Sequence, residues 1–178
     1  MLTPSQSAIV TETLRVSLAA AAGDVDEASL DSLARAAAAL APTQAPTQAP
    51  AQGGRDPHPA WPAVGRSVVR DLVVGPDDTA AGMGHPDTSA QVLGSPRLAL
   101  WFELVSCDLL PAPSPDLTHV GVGILVHHLD RSDVGETVTV ESTVASVRGR
   151  RGVFACRATA GERVVGVGVH QRALLETR

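Results

Sequence analysis

Ser95-Pro-Arg-Leu-Ala-Leu-Trp-Phe-Glu-Leu-Val-Ser-Cys-Asp-Leu-Leu110 decides how the rest of this chain must be arranged. Serine followed by proline predicts a helix start, with the serine as N-cap and the proline in the first turn, where its missing N–H is not needed. From Leu98 to Leu110 apolar side chains fall on nearly every side, interrupted by Glu103, Ser106 and Asp108. A helix that is apolar all round is a buried one. Pro111, Pro113 and Pro115 then end it. The stretch predicts one helix enclosed by other structure.

Downstream the period shortens to two and no second helix follows. His119 to His128 alternates, which predicts Val120, Val122, Ile124, Val126 and His128 on one face. Thr137 to Val147 sets Val138, Val140 and Val144 against Thr137, Thr139, Glu141 and Thr143 on the other face. Gly152 to Thr159 and Arg163 to Leu175 complete a meander through turns at Arg148-Gly149 and Ala160-Gly161. In the last strand Val165, Val167 and Val169 share one face, and Gly166, Gly168, His170 and Arg172 share the other. Upstream, Ser67 to Val74 predicts a short strand. Gly75 to Gly94, rich in Gly, Pro and Asp, predicts a loop long enough to be functional. Strand, loop, buried helix and four consecutive strands make an α+β domain. An antiparallel sheet wrapped around one central helix, the hot-dog arrangement, satisfies all of it. Its open edge makes a homodimer the expected assembly.

Ahead of this domain the composition changes. Thr3-Pro4-Ser5-Gln6 has the form of a capping box, and Ala8 to Leu18 and Glu27 to Leu40 predict two alanine-rich helices around a break at Gly23-Asp24. Ala-Pro-Thr-Gln then repeats between Ala41 and Gln48, with too much proline for a helix or an inner strand. The expected organisation is a helical extension over 1–40, a Pro/Ala/Gln-rich linker over 41–62, and the hot-dog domain over 63–178.

The formal net charge is -5, and every basic side chain is an arginine. Without lysine there is neither a Schiff-base amine nor a P-loop. Without a basic face a nucleic-acid partner is not expected. Cys107 and Cys156 stand far apart in apolar runs, which predicts buried free thiols rather than a disulfide or a metal site. Met1 to Val10 lacks a basic n-region and an apolar core, and no apolar run approaches the ~20 residues of a membrane span. A soluble, cytoplasmic protein with no membrane partner is the expectation.

Several polar residues stand where apolar ones are expected. Glu103 has apolar neighbours on all sides, so its carboxylate must be partnered, protonated or placed at a cavity. It either does chemistry or merely reaches solvent or an arginine across an interface. His128 falls on the face that should meet the helix, as a catalyst or as a satisfied core histidine; His127 points the other way. Ser95 is explained by capping alone, yet a hydroxyl at a helix N-terminus also lies in a field favouring negative charge. Eight residues separate it from Glu103, about 12 Å along the axis, so the two flank one substrate or meet across a dimer. Gly121 and Gly123 mark either a close approach or tight sheet packing. Arg172 pairs with a carboxylate, contacts a CoA phosphate, or is a solvated strand end.

Val92-Leu-Gly-Ser-Pro96, the helix with Glu103, Val120-Gly-Val-Gly-Ile-Leu-Val-His-His128, Val134-Gly-Glu-Thr-Val138, Val147-Arg-Gly-Arg-Arg151 and Gly168-Val-His-Gln-Arg172 together resemble the fluoroacetyl-CoA thioesterase-like branch of the hot-dog superfamily. The resemblance runs in order from about Val64 to Leu175. It implies hydrolysis of an acyl-CoA, or of an acyl group on a carrier protein, with CoA entering only as part of the substrate and no other cofactor. It also implies a catalytic set at Ser95, Glu103 and His128, with Gly121 and Arg172 at the substrate. The fluoroacetyl-specific member has threonine where Ser95 stands and a phenylalanine-bearing lid. Gly75 to Gly94 has no aromatic residue, so a different acyl group is expected. The alternatives are a non-catalytic acyl-CoA-binding or interaction module and, more distantly, a hot-dog hydratase.

Overall fold

The computed structural model describes residues 56–85 and 90–176. The helices read over 1–40 and most of the linker lie outside those residues. Five strands form one antiparallel sheet: β1 (Ser67–Val73), β2 (Leu117–His128), β3 (Thr137–Arg148), β4 (Arg151–Ala160) and β5 (Arg163–Glu176), in the order β1-β3-β4-β5-β2. Among the described residues a single α-helix, α1 (Ser95–Cys107), packs against one face. This is the hot-dog fold read from the element order.

The valines of β3 behave as alternation requires. Val138, Val140 and Val144 are fully buried beneath α1 with Phe154, Ala158, Leu98, Phe102 and Val105. The glycines of β5 let the helix sit directly on the sheet. A Cβ at Gly166 would stand 2.5 Å from Leu98, and one at Gly168 would stand 2.8 Å from the Phe102 ring. Ser106 is buried on α1 because its hydroxyl bonds back to the Phe102 carbonyl at 2.7 Å and meets Ser142 Oγ at 2.9 Å. Both cysteines are free, and burial pushes the Cys156 thiol up to about 11.

Four readings change. Gly94, not Ser95, occupies the N-cap of α1, and no side chain caps the helix. The helix stops at Cys107, short of Leu110. It is not buried all round either, since Leu100 and Leu104 are exposed. The alternation of β2 is interrupted: Gly121 pairs with Arg172 and Gly123 with Gln171, so Val122 is an extra, bulged residue. Before the bulge Leu117 faces the helix-side core; after it Val126 does. Val120 therefore leaves the face it was expected to share with His128, while His128 keeps its place.

The packed structure also reaches further upstream than the strands do. The His58 amide donates to the Gly149 carbonyl at 2.9 Å, and the Trp61 indole N–H donates to the same carbonyl at 3.1 Å. Trp61 is buried against Gly152, where a Cβ would lie 2.7 Å from its ring. The last residues of the stretch read as linker thus belong to the fold, because the β3–β4 turn leaves a glycine-floored notch that a large ring fills.

Candidate active site

The sequence-predicted residues form two groups, one at each end of α1. At the helix start the Ser95 hydroxyl, free of any capping duty, lies 3.1 Å from His128 Nδ1 at the end of β2. Burial lowers the pKa of His128, partly offset by the backbone and carboxylate of Asp130, so the ring is neutral near pH 7. A cavity of about 630 Å³ opens beside this pair, lined among others by His85, Val92, Leu129 and Arg131. His85 and Val92 come from the long loop, which places that loop at the site.

Two turns along α1, Glu103 turns toward β5. Its Oε1 accepts from Arg172 Nη1 at 3.0 Å; the Arg172 side chain is 6% exposed and that of Glu103 42%. Of the roles open to Arg172, the structure gives it a carboxylate. Gly121 lies directly across, where a Cβ would stand 3.1 Å from Glu103 Oε1 and 3.5 Å from His170 Nε2. Any larger residue would crowd the carboxylate. Gly123 meets only the Gln171 side chain at such range.

Two histidines not singled out as site residues complete this group. Arg172 Nη2 donates to His119 Nδ1 at 3.0 Å, and Nη1 lies 3.4 Å from His170 Nε2. Both imidazoles have lowered pKa values, from burial first and the guanidinium second. His170 falls to about 4, and His119 moves in the same direction. His170 was already legible as sharing a face with Arg172, Gly166 and Gly168. His119 was not, because only the bulge brings it onto that face.

A basic, neutral imidazole with a hydroxyl beside a cavity, and a carboxylate held open on a buried arginine, are the parts that acyl transfer to water requires. A family model of fluoroacetyl-CoA-specific thioesterases matches residues 74–178.

The chain belongs to the fluoroacetyl-CoA-specific thioesterase family.

Solved structures agree. The fluoroacetyl-CoA thioesterase FlK superposes with a TM-score of 0.58 at 27% identity, covering 65% of this chain and 89% of FlK. A variant of FlK in complex with fluoroacetate and CoA gives 0.58 at 28%, over 64% of this chain and 94% of that one. A hot-dog-like protein from Thermanaerovibrio acidaminovorans shares the fold, with a TM-score of 0.58 at 23% identity over 66% and 86%. No curated protein sequence matches the chain. As a member of the fluoroacetyl-CoA-specific thioesterase family the protein is an enzyme, and its activity is hydrolysis of an acyl-CoA thioester. Among the described residues no helix is long and apolar enough to cross a membrane.

Proposed function

We propose that the protein is a cytoplasmic, homodimeric thioesterase whose active site is shared between two protomers. It cleaves an acyl-CoA, or an acyl group on a carrier protein, to free acid and thiol. The observation that carries this reading is the separation of the two groups: Ser95 and His128 lie at one end of the unpaired edge of β2, and Glu103, Gly121 and Arg172 toward the other. A two-fold axis beside Ile124 and Leu125 lays this edge antiparallel to a second copy and sets Gly121 opposite the partner's His128. The same pairing covers Val120, Val122 and Ile124 on the edge, and Leu100 and Leu104 on α1, all exposed in the single chain.

In the shared site Glu103 either attacks the thioester carbonyl, expelling the thiolate and leaving a mixed anhydride that water then hydrolyses, or takes the proton of a water that attacks the carbonyl directly. His128, a neutral ring, relays the water's proton to the departing thiolate, and Ser95 positions the water or the carboxylate. The backbone N–H of Gly121, or those at the start of α1, hold the developing oxyanion. Gly121 lines the acyl side, and Arg172 acts on the substrate through Glu103. The reading assigns no cofactor beyond the substrate's own CoA. Fluoroacetyl selectivity is not part of it: the described loop residues beside the cavity are Ala80, His85, Val92, Leu93 and Gly94, none of them a bulky aromatic. Another acyl group is favoured.

Co-expression of Glu103→Gln and His128→Ala chains carrying two tags tests the sharing. Each parent dimer is expected to be inactive in thiol release from a panel of acyl-CoAs. The purified mixed dimer has one site with both lesions and one with neither, so about half of wild-type turnover returns. A mixed dimer as dead as its parents would place the whole site within one chain, and activity in the parents would remove Glu103 and His128 from the chemistry.

A further inference from the structure

Arg172 is held by more groups than its pairing with Glu103 requires. The guanidinium is nearly buried, with Nη1 on Glu103 and near His170 Nε2, and Nη2 on His119 Nδ1 and the His119 carbonyl at 3.4 Å. A guanidinium has only donors, so each ring nitrogen facing it must offer a lone pair. That fixes both tautomers, with the proton on Nε2 of His119 and on Nδ1 of His170. Protonating either ring would replace an acceptor with a cation against a cation. The surroundings keep both neutral, through burial and the nearby arginine. From α1, Glu103 and Cys107 face the cluster, Glu103 as the only carboxylate bonded to Arg172 among the described residues. From β4, Gly152 and Phe154 stand opposite Arg172 and His170 and carry no charge.

We propose that His119 and His170 are positioning residues, neutral acceptors on β2 and β5 that clamp Arg172 and so fix where it presents the Glu103 carboxylate beside Gly121. The clamp is needed because arginine has a long, rotatable stem. Paired with Glu103 alone it would follow the carboxylate rather than define its place. His119 reaches this position only because the Val122 bulge shifts the phase of β2.

The inference rests on Glu103 as the reacting carboxylate, and the test separates the two claims. His119→Leu and His170→Leu remove the acceptors; His119→Asn and His170→Gln restore an acceptor oxygen near the same place. The leucine variants are expected to lose about ten- to a hundredfold in kcat with KM nearly unchanged, and the amide variants to recover most of it. In a Glu103→Gln background the leucine changes should cost nothing further, since there is no reacting carboxylate left to place. If His170→Leu does not fold, the half-buried His119 series carries the test alone. Leucine variants with wild-type kcat, amide variants as impaired as leucine ones, or an undiminished loss in the Glu103→Gln background would each overturn the clamp. Wild-type turnover by Glu103→Gln itself would instead overturn the reading on which it rests.

Discussion

At its N-terminal end α1 presents Ser95 in the open, joined to His128 by one hydrogen bond of 3.1 Å beside a cavity of about 630 Å³. Two turns on, Glu103 rests on an arginine that is itself held from β2 and β5. One end has a cavity and few bonds; the other has a carboxylate held through many bonds. The contrast follows from the tasks assigned to them. Groups that hand protons to a departing thiol must turn and exchange partners, whereas a carboxylate that attacks or activates water gains most from being fixed in advance.

Turnover offers the largest test of that contrast. Glu103→Gln keeps the shape and removes the charge, and is expected to lower kcat about a thousandfold, roughly 4 kcal/mol of barrier. Ser95→Ala, at the looser end, should cost only about tenfold. Thiol release measured side by side checks the ratio, and equal losses would erase the distinction between a fixed and a free end.

Stability against pH is the next test. His170 has a folded pKa of about 4 against an ordinary 6.5. Between those values the unfolded chain takes up a proton that the folded one refuses. Stability therefore falls as pH drops from about 6.5 to about 4, by up to about 3 kcal/mol, and levels off below that. Urea midpoints for His170→Gln should lack this part of the slope. His128→Gln, removing a less deeply buried ring whose pKa is also lowered, should lose a smaller share. A slope unchanged in His170→Gln would mean that the fixed end does not exclude protons as its burial requires.

The smallest effect separates two glycines of one strand. Gly121→Ala crowds Glu103 Oε1 at 3.1 Å and is expected to lower kcat several-fold, about 1 kcal/mol. Gly123→Ala meets only a flexible glutamine side chain at 3.7 Å and should leave kcat alone. Equal behaviour of the two variants would remove Gly121 from the carboxylate's surroundings.

Much of this was legible in the sequence, for reasons tied to period. The valines of β3, the apolar run of α1 and the turns at Gly149 and Gly161 are local patterns, and each strand lies within a few residues of where alternation put it. Glu103 and His128 stood out because a charge or an imidazole among apolar neighbours demands a partner. What local pattern does not carry is phase. One bulged residue, Val122, moves Val120 off the helix face and His119 onto it, and no propensity at Gly121-Val122-Gly123 says on which side of the bulge the count resumes. The N-cap falls one residue earlier than the Ser-Pro pattern predicts, because Gly94 and Ser95 are both suited to it. That shift leaves the serine hydroxyl for His128. The exposure of Leu100 and Leu104 was hidden because an apolar run alone does not tell which of its faces the rest of the chain covers.

Trp61 carries a consequence for how this chain tolerates change in length. Its ring stands 6.3 Å from Phe154, and Phe154 stands 6.1 Å from His170, so three rings run in series from the segment ahead of β1 to the arginine beneath Glu103. A deletion reaching Pro62 takes away its first member and lets water in behind His170. The packing behind His170 therefore reaches ahead of the first strand, and it is anchored there by a tryptophan over a glycine rather than by the sheet itself.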